Sequence, residues 1–260
     1  TMNIKVNSEN TAPVLADPSS STVNYTEDAA PVRLTNTIIV NDADNTNLSG
    51  ATIAITTGFL AGEDSLSFTS ANGINGTYTP ATGLLSLTGS ATLANYQTAL
   101  RSVRYNNTSD NPTIANRSIS FTVSDGTSPS NVIVKTVSIT AVNDAPVLTD
   151  NATAPVNYTE NTPAVQLTNT ITLTDADNTS VTGATITITS GFHAAEDTLS
   201  FTSANGITGA YVSATGILTL SGTTTLLNYR TALRSVRYRN KSEGPTTTNR
   251  IVSFTVTDGS

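Results

Sequence analysis

The sequence predicts an all-β protein: two tandem antiparallel Greek-key β-sandwich domains, each with one short helical turn. Three observations carry that expectation. First, the chain repeats itself. Shifted by about 133 residues, "NYTEDAAPVRLTNTIIVNDADNT" from Asn24 falls on "NYTENTPAVQLTNTITLTDADNT" from Asn157, and "GEDSLSFTSANGINGTY" on "AEDTLSFTSANGITGAY". Roughly 70 of about 115 aligned positions are identical without an insertion. A unit this long exceeds a solenoid repeat, so each copy is expected to own a core. Second, apolar residues within a copy alternate with Thr and Ser at a period of two, as in half-buried strands. Third, Gly and Asn-Gly punctuate those runs at hairpin spacing.

Along the first copy, "ATIAITTGF" puts Ile53 and Ile55 on one face and Thr on the other, and "ATITITSGF" does the same with Ile186 and Ile188. Asn72-Gly73 and Gly83 mark turns before the next alternating run, "GLLSLTG". In "TLANYQTALRSVRYNN", Leu93, Tyr96, Ala99 and Leu100 recur at three- and four-residue steps, which predicts a short helical turn running into a strand from Arg101 to Tyr105. "SISFTVSDG" and "VIVKTVSITAV" then return to alternation and complete a sandwich of seven or more strands.

Composition narrows the function. The net charge is −7 with only 12 Lys and Arg, so the chain has no basic face for nucleic acid. There is no cysteine, hence neither disulfides nor thiolate metal sites. No apolar run approaches the roughly 20 residues of a membrane span, so no membrane insertion is expected, and "TMNIKVNSEN" lacks the features of a signal peptide, as in a mature fragment.

The phase of the repeat sets the expected domains. Residues 1–10 align with the final strand of a preceding repeat, 11–143 form repeat one, and 144–260 form repeat two without its last strand, because the counterpart of Ser130 to Asn143 falls beyond Ser260. A sheet without its edge strand exposes backbone groups. Head-to-tail strand exchange between chains is one way to cover them.

The acids repeat with the fold. Glu27 matches Glu160, Asp42 and Asp44 match Asp175 and Asp177, Glu63 and Asp64 match Glu196 and Asp197, and Asp125 matches Asp258. Oxygen-rich clusters with a single histidine and no cysteine suit a hard cation such as calcium, which takes 6 to 8 oxygen ligands. "DADN" carries its two Asp at i and i+2, on one side of an extended segment, where they can converge on an ion. The same tetrad also reads as a polar turn closed by Asx hydrogen bonds. Asn143 and Asp144 stand at the joint between copies, where the N-terminal joint carries Thr11.

Taken together, "TEN", "DADN", "TDG" after a late strand and the joint "VNDAPV" resemble the cadherin and bacterial cadherin-like repeats, and the likeness covers the whole chain twice. The longer unit resembles the modules of very large bacterial surface and secreted proteins. The resemblance implies a cadherin-like, immunoglobulin-like sandwich and Ca2+ between successive domains. It also implies a junction site of Glu27 from the upper domain, Asn143 and Asp144 from the linker, and Asp175, Asp177 and Asp258 from the lower domain. Asp42, Asp44 and Asp125 would form an incomplete site at the N-terminal end, and Glu160 with Glu196 and Asp197 one facing a further repeat. Glu63-Asp64 departs from the family spacing. An ion pair with Arg101, Arg104 or Arg117 is the competing reading.

The expected function is therefore a calcium-stiffened structural repeat of an extracellular or cell-surface adhesin, with adjacent repeats and a surface glycan or protein as partners. A carbohydrate- or protein-binding adhesin domain and a spacer of a larger secreted enzyme are the alternatives. Catalysis finds little support: His193, the only histidine, aligns with Leu60, so a repeated active site cannot use it, and it is expected on an exposed loop.

Overall fold

The computed structural model describes residues 2, 3, 5, 9–152 and 154–260. Half of the terminal strand expected over residues 1–10 lies outside them. The chain divides into two compact units, Thr1–Val142 and Asn143–Ser260.

The first unit runs β1 (Val14–Ala16), β2 (Thr22–Thr26), β3 (Val32–Arg33), β4 (Ile39–Asn41), β5 (Asn47–Thr57), β6 (Asp64–Ser67), β7 (Asn75–Thr79), β8 (Leu84–Thr92), α1 (Leu93–Ser102), β9 (Arg104–Asn107), β10 (Arg117–Ser124) and β11 (Ile133–Thr140). One sheet has the order β2-β11-β10-β5-β8-β7, a second β3-β9-β6, and β1 pairs with β4. The alternation in the sequence becomes the core. Ile53 and Ile55 of β5, Leu85 and Leu87 of β8, and Ile119, Phe121 and Val123 of β10 are buried in one cluster with Leu66 and Tyr105 of the smaller sheet. Tyr25 and Tyr105 meet edge to face within it, ring centres 5.4 Å apart. This is the all-β sandwich that the period of two predicts. One ladder departs from the antiparallel expectation: β2 runs parallel to β11. The two strands are far apart in sequence, so no hairpin constrains their direction.

The helical turn is longer than expected. Thr92 caps α1 by accepting from Asn95 N, and Tyr96, Ala99 and Leu100 bury one face. The helix continues to Ser102, so Arg101 belongs to it and the following strand starts at Arg104. Val103, at φ −63° and ψ 132°, ends it. At the predicted turn, Asn72 and Gly73 both have positive φ (56° and 79°) between the bridged residues Ala71 and Ile74, the geometry of a type I′ turn.

The second unit contains β12 (Val147–Thr149), β13 (Val165–Gln166), β14 (Thr172–Thr174), β15 (Ser180–Ser190), β16 (Asp197–Ser200), β17 (Thr208–Val212), β18 (Ile217–Thr225), α2 (Leu226–Ser235), β19 (Arg237–Asn240) and β20 (Ile251–Thr257). Its sheets are β17-β18-β15-β20, β13-β19-β16 and β12-β14. Residues 155–159, the counterpart of β2, form no strand. In the first unit β2 is an edge strand whose ladder is made to β11 alone, and among the described residues of the second unit no strand takes the place of β11.

Candidate functional site

The residues of "DADN" link β14 to β15. Asp175 Oδ1 accepts from the backbone N–H of Asp177 (3.3 Å) and Asn178 (2.8 Å). That is the Asx turn. The turn occupies one carboxylate oxygen only; Asp175 Oδ2 is buried and has no hydrogen-bond partner. The linker closes over this turn. Asp144 N donates to Asp177 Oδ2 at 3.3 Å, Asn178 Nδ2 donates to Asn143 Oδ1 at 2.7 Å, and Asn143 Nδ2 donates to Asp258 Oδ2 at 2.7 Å. Asp258 follows β20. The structure therefore brings Asn143, Asp144, Asp175, Asp177 and Asp258 to one end of the second unit.

The electrostatics fit a cluster short of positive charge. Burial pushes the Asp175 carboxyl above its ordinary value, and the Asp177 carboxylate adds to the rise. Asp258 is held below its ordinary value, first by the Asn143 amide.

The first unit builds the same cluster. Asp42 Oδ1 accepts from Asp44 N (3.1 Å) and Asn45 N (2.9 Å), while Asp42 Oδ2 is buried without a partner. Asn45 Nδ2 donates to Asn10 Oδ1 at 3.0 Å and Asn10 Nδ2 to Asp125 Oδ2 at 2.9 Å. Thr11 N donates to both oxygens of Asp44, at 3.2 and 3.0 Å. Thr11 thus keeps the backbone role of Asp144 without its carboxylate. Three amides in these clusters, Asn10, Asn45 and Asn178, are not among the residues the acidic pattern selects. Their signal was present: Asn10 aligns with Asn143, and the other two are the final letters of "DADN".

Glu27 belongs to the first unit, just after β2. Its backbone N–H donates to Thr140 O at 2.9 Å, and its Oε2 accepts from Val142 N at 2.6 Å. The side chain is buried, and Oε1 has no hydrogen-bond partner. Its counterpart Glu160 sits half-buried in a turn.

Glu63 and Asp64 are committed to Arg117. Its guanidinium approaches Asp64 Oδ2 at 3.1 Å and Glu63 Oε2 at 3.4 Å. Asp64 also accepts from Tyr105 Oη (2.5 Å), Asn107 Nδ2 (3.0 Å) and Leu60 N (2.8 Å), which engages both its oxygens. Arg250 holds Glu196 and Asp197 in the same way, each at 3.1 Å. Hydrogen bonds led by the Thr246 hydroxyl, with the Asn240 amide next, hold Glu196 down at about 2. Of the three arginines that compete in the sequence, Arg117 makes the pair. Arg101 and Arg104 instead donate to the carbonyls of Ile38 and Pro31. His193 is half-buried rather than exposed, because its backbone is folded in: its N–H donates to Asp197 Oδ2 at 2.7 Å and its carbonyl accepts from Glu196 N and Asp197 N.

Among the described residues, no three His, Cys, Asp or Glu side chains gather into a metal-binding group. The amides of Asn143 and Asn178 stand between the carboxylates of Asp177 and Asp258. The donor set is nonetheless all oxygen. Glu27 Oε1, Asp42 Oδ2 and Asp175 Oδ2 are buried anionic oxygens that no donor satisfies, the condition a hard cation relieves. The residues present fit such an ion.

No family model matches the chain. Over 135 residues, half of the chain, it is 38% identical to Halomucin of Haloquadratum walsbyi, and the match spans about 2% of that protein. Among solved structures it is similar to the protocadherin gamma B2 extracellular cadherin domains 1–5 (13% identity, 78% of this chain and 31% of that one, TM-score 0.25). It is also similar to human CDH23 EC21-23 (13% identity, 95% and 63%, TM-score 0.27). Superpositions this loose carry no argument about function.

Proposed function

We propose that the chain is a pair of calcium-binding structural repeats from an extracellular or cell-surface, adhesion-type protein, in which the ion stiffens a rod-like stalk. The observation that supports this most is the duplicated oxygen cluster. Both units spend one oxygen of the first Asp of "DADN" on an Asx turn and leave the other buried and unsatisfied. A buried polar group without a partner costs about 1–3 kcal/mol, more when charged, and both copies retain it. In the second unit Asp144, Asp175, Asp177 and Asp258 would hold the ion. Bound Ca2+ would supply the positive charge that Asp175 lacks. On the resemblance alone, Glu27 joins this set, which makes the ion a brace between repeats.

Differential scanning calorimetry during a calcium titration tests the reading. A site filled at a hundredfold excess over its Kd stabilises the folded state by about 2.7 kcal/mol. Calcium is expected to raise the melting temperature of the wild type and to leave the Asp144→Ala, Asp175→Ala double variant unmoved. If neither protein responds, the metal reading fails. Small-angle scattering with and without chelator tests the stiffening separately: an unchanged maximum dimension removes the mechanical role while leaving the binding site.

A further inference from the structure

The cations of the second unit are segregated, and one sheet face collects most of them. Of its six Lys and Arg, five lie between Arg230 and Lys241; the sixth, Arg250, is paired with Glu196 and Asp197. Along β19, exposed Arg237 and Arg239 alternate with buried Tyr238 and Asn240. The ladder to β16 continues one step further, because Lys241 N donates to Glu196 O at 2.8 Å, and Lys241 is exposed in its turn. Three cationic side chains thus stand in one row on the outer face of the sheet β13-β19-β16, about 6–7 Å apart at the backbone.

The strand residues beside them on that face are uncharged. Thr198 lies opposite Arg239, and Ser200 and Gln166 flank Arg237. Arg237 donates to Ala164 O at 3.2 Å, while among the described residues neither Arg239 nor Lys241 makes a salt bridge. Glu196, the carboxylate next to Lys241 in the ladder, is held by Arg250. The fold does not require the last two cations. In the first unit the same row reads Arg104, Asn106 and Thr108, with Arg33 opposite Arg104. A net charge of −7 averages over this separation of charge.

We propose that this face binds an acidic polysaccharide, its carboxylates lying along Arg237, Arg239 and Lys241 and its hydroxyls against Gln166, Thr198 and Ser200. Like charges in a row repel one another, and an anionic chain of sugars neutralises them in succession. The planar guanidinium matches a carboxylate two hydrogen bonds at a time, and the hydroxyl and amide neighbours suit sugar hydroxyls. The row and its neighbours include no aromatic side chain for a base to stack on and no apolar one to enter a lipid surface, which favours a polysaccharide over nucleic acid or membrane. Such a partner presupposes the extracellular setting proposed above, but no bound calcium.

The test titrates the intact chain with fluorescently labelled octagalacturonate in chelator and at about 50 mM salt, and follows anisotropy. Working in chelator separates this outcome from that of the calcium titration. The expected result is saturable binding that weakens as salt rises, and at least about a tenfold loss with the fully methyl-esterified, neutral octamer. The Arg239→Asn, Lys241→Thr double variant takes the residues that the first unit carries at these positions, so its melting temperature should not change. Its affinity should fall about five- to thirtyfold. Arg230→Gln also takes the first unit's residue, but removes a charge from α2, which packs on β14, β15 and β18. Its affinity should stay within about twofold of the wild type. Absence of binding overturns the proposal, as does equal affinity for the ester or for the double variant, or a loss from Arg230→Gln as large as that of the double variant. Tighter binding of a labelled oligothymidylate of equal charge, or of phosphatidylserine vesicles, would assign the row to nucleic acid or membrane and overturn it too.

Discussion

At the scale of single residues, the charges divide by what surrounds them. Arg117 is fully buried against Asp64, whereas Arg250 is 10% exposed against Asp197. Removing one member of a buried pair strands the other, so Arg117→Ala should destabilise the first unit by about 3–5 kcal/mol. Arg250→Ala should cost the second unit less, because the Arg250 guanidinium is itself partly in contact with water and its attraction to the carboxylates is screened. Urea unfolding with hydrogen exchange resolved by unit measures both. Asp17 makes a pH prediction. Burial, its largest influence, pushes its pKa up, but hydrogen bonds from Thr35, Thr37, Lys135 and Ser19 outweigh it and leave the carboxyl below its ordinary 3.8. A depressed carboxylate stabilises the fold fully above its unfolded value and loses that contribution as pH falls through the folded one. The Lys135→Met variant should therefore be less stable than wild type near neutrality and converge with it in strong acid, as read from denaturant midpoints between about pH 7 and about pH 2. That these acids recur was visible in the sequence. Which arginine takes Glu63 and Asp64 was not, since Arg101, Arg104 and Arg117 all recur too and only packing distinguishes them.

At the scale of elements, alternation identified the long strands, and the three- and four-residue spacing identified the helices. Lengths were less legible. Arg101 suits a strand or a helix end equally, and the choice is made by Leu100 being buried and by the turn at Val103. Thr92 and Thr225 cap the two helices through the N–H groups of Asn95 and Asn228. Replacing either with Ala should cost about 1 kcal/mol in its own unit, measurable by thermal melting. Gly89 has a stricter requirement. Its φ is +128°, and a Cβ there would stand 2.1 Å from Gly73 O; Gly222 meets Gly206 O in the same way. Gly89→Ala should cost more than a cap, about 1–3 kcal/mol from backbone strain with the steric clash added. If the two substitutions prove equal, the approach of these turns to β8 is looser than the structure has it.

At the scale of the molecule, the two units share a sequence pattern but not a complete sheet. The first owns β2 and β11, while among the described residues the second has neither counterpart, and part of its core faces a groove. Less apolar area is withdrawn from water there, and each square ångström contributes roughly 25 cal/mol. Calorimetry of the intact chain should show two transitions, with hydrogen exchange assigning the lower to residues 143–260. A single cooperative transition would contradict independent units.

The sequence by itself determined the duplication, the all-β class, the strand faces and the acidic set, because these rest on local periodicity and on comparing one copy with the other. Only the tertiary structure decided which oxygens are spent and which are left over. It put Asn10, Asn45, Asn143 and Asn178 among the carboxylates, buried one oxygen each of Asp42 and Asp175 without a donor, and turned Glu63, Asp64, Glu196 and Asp197 toward arginines. A hydrogen-bond inventory depends on residues far apart in the chain that meet only after folding, and no local pattern records who donates to whom.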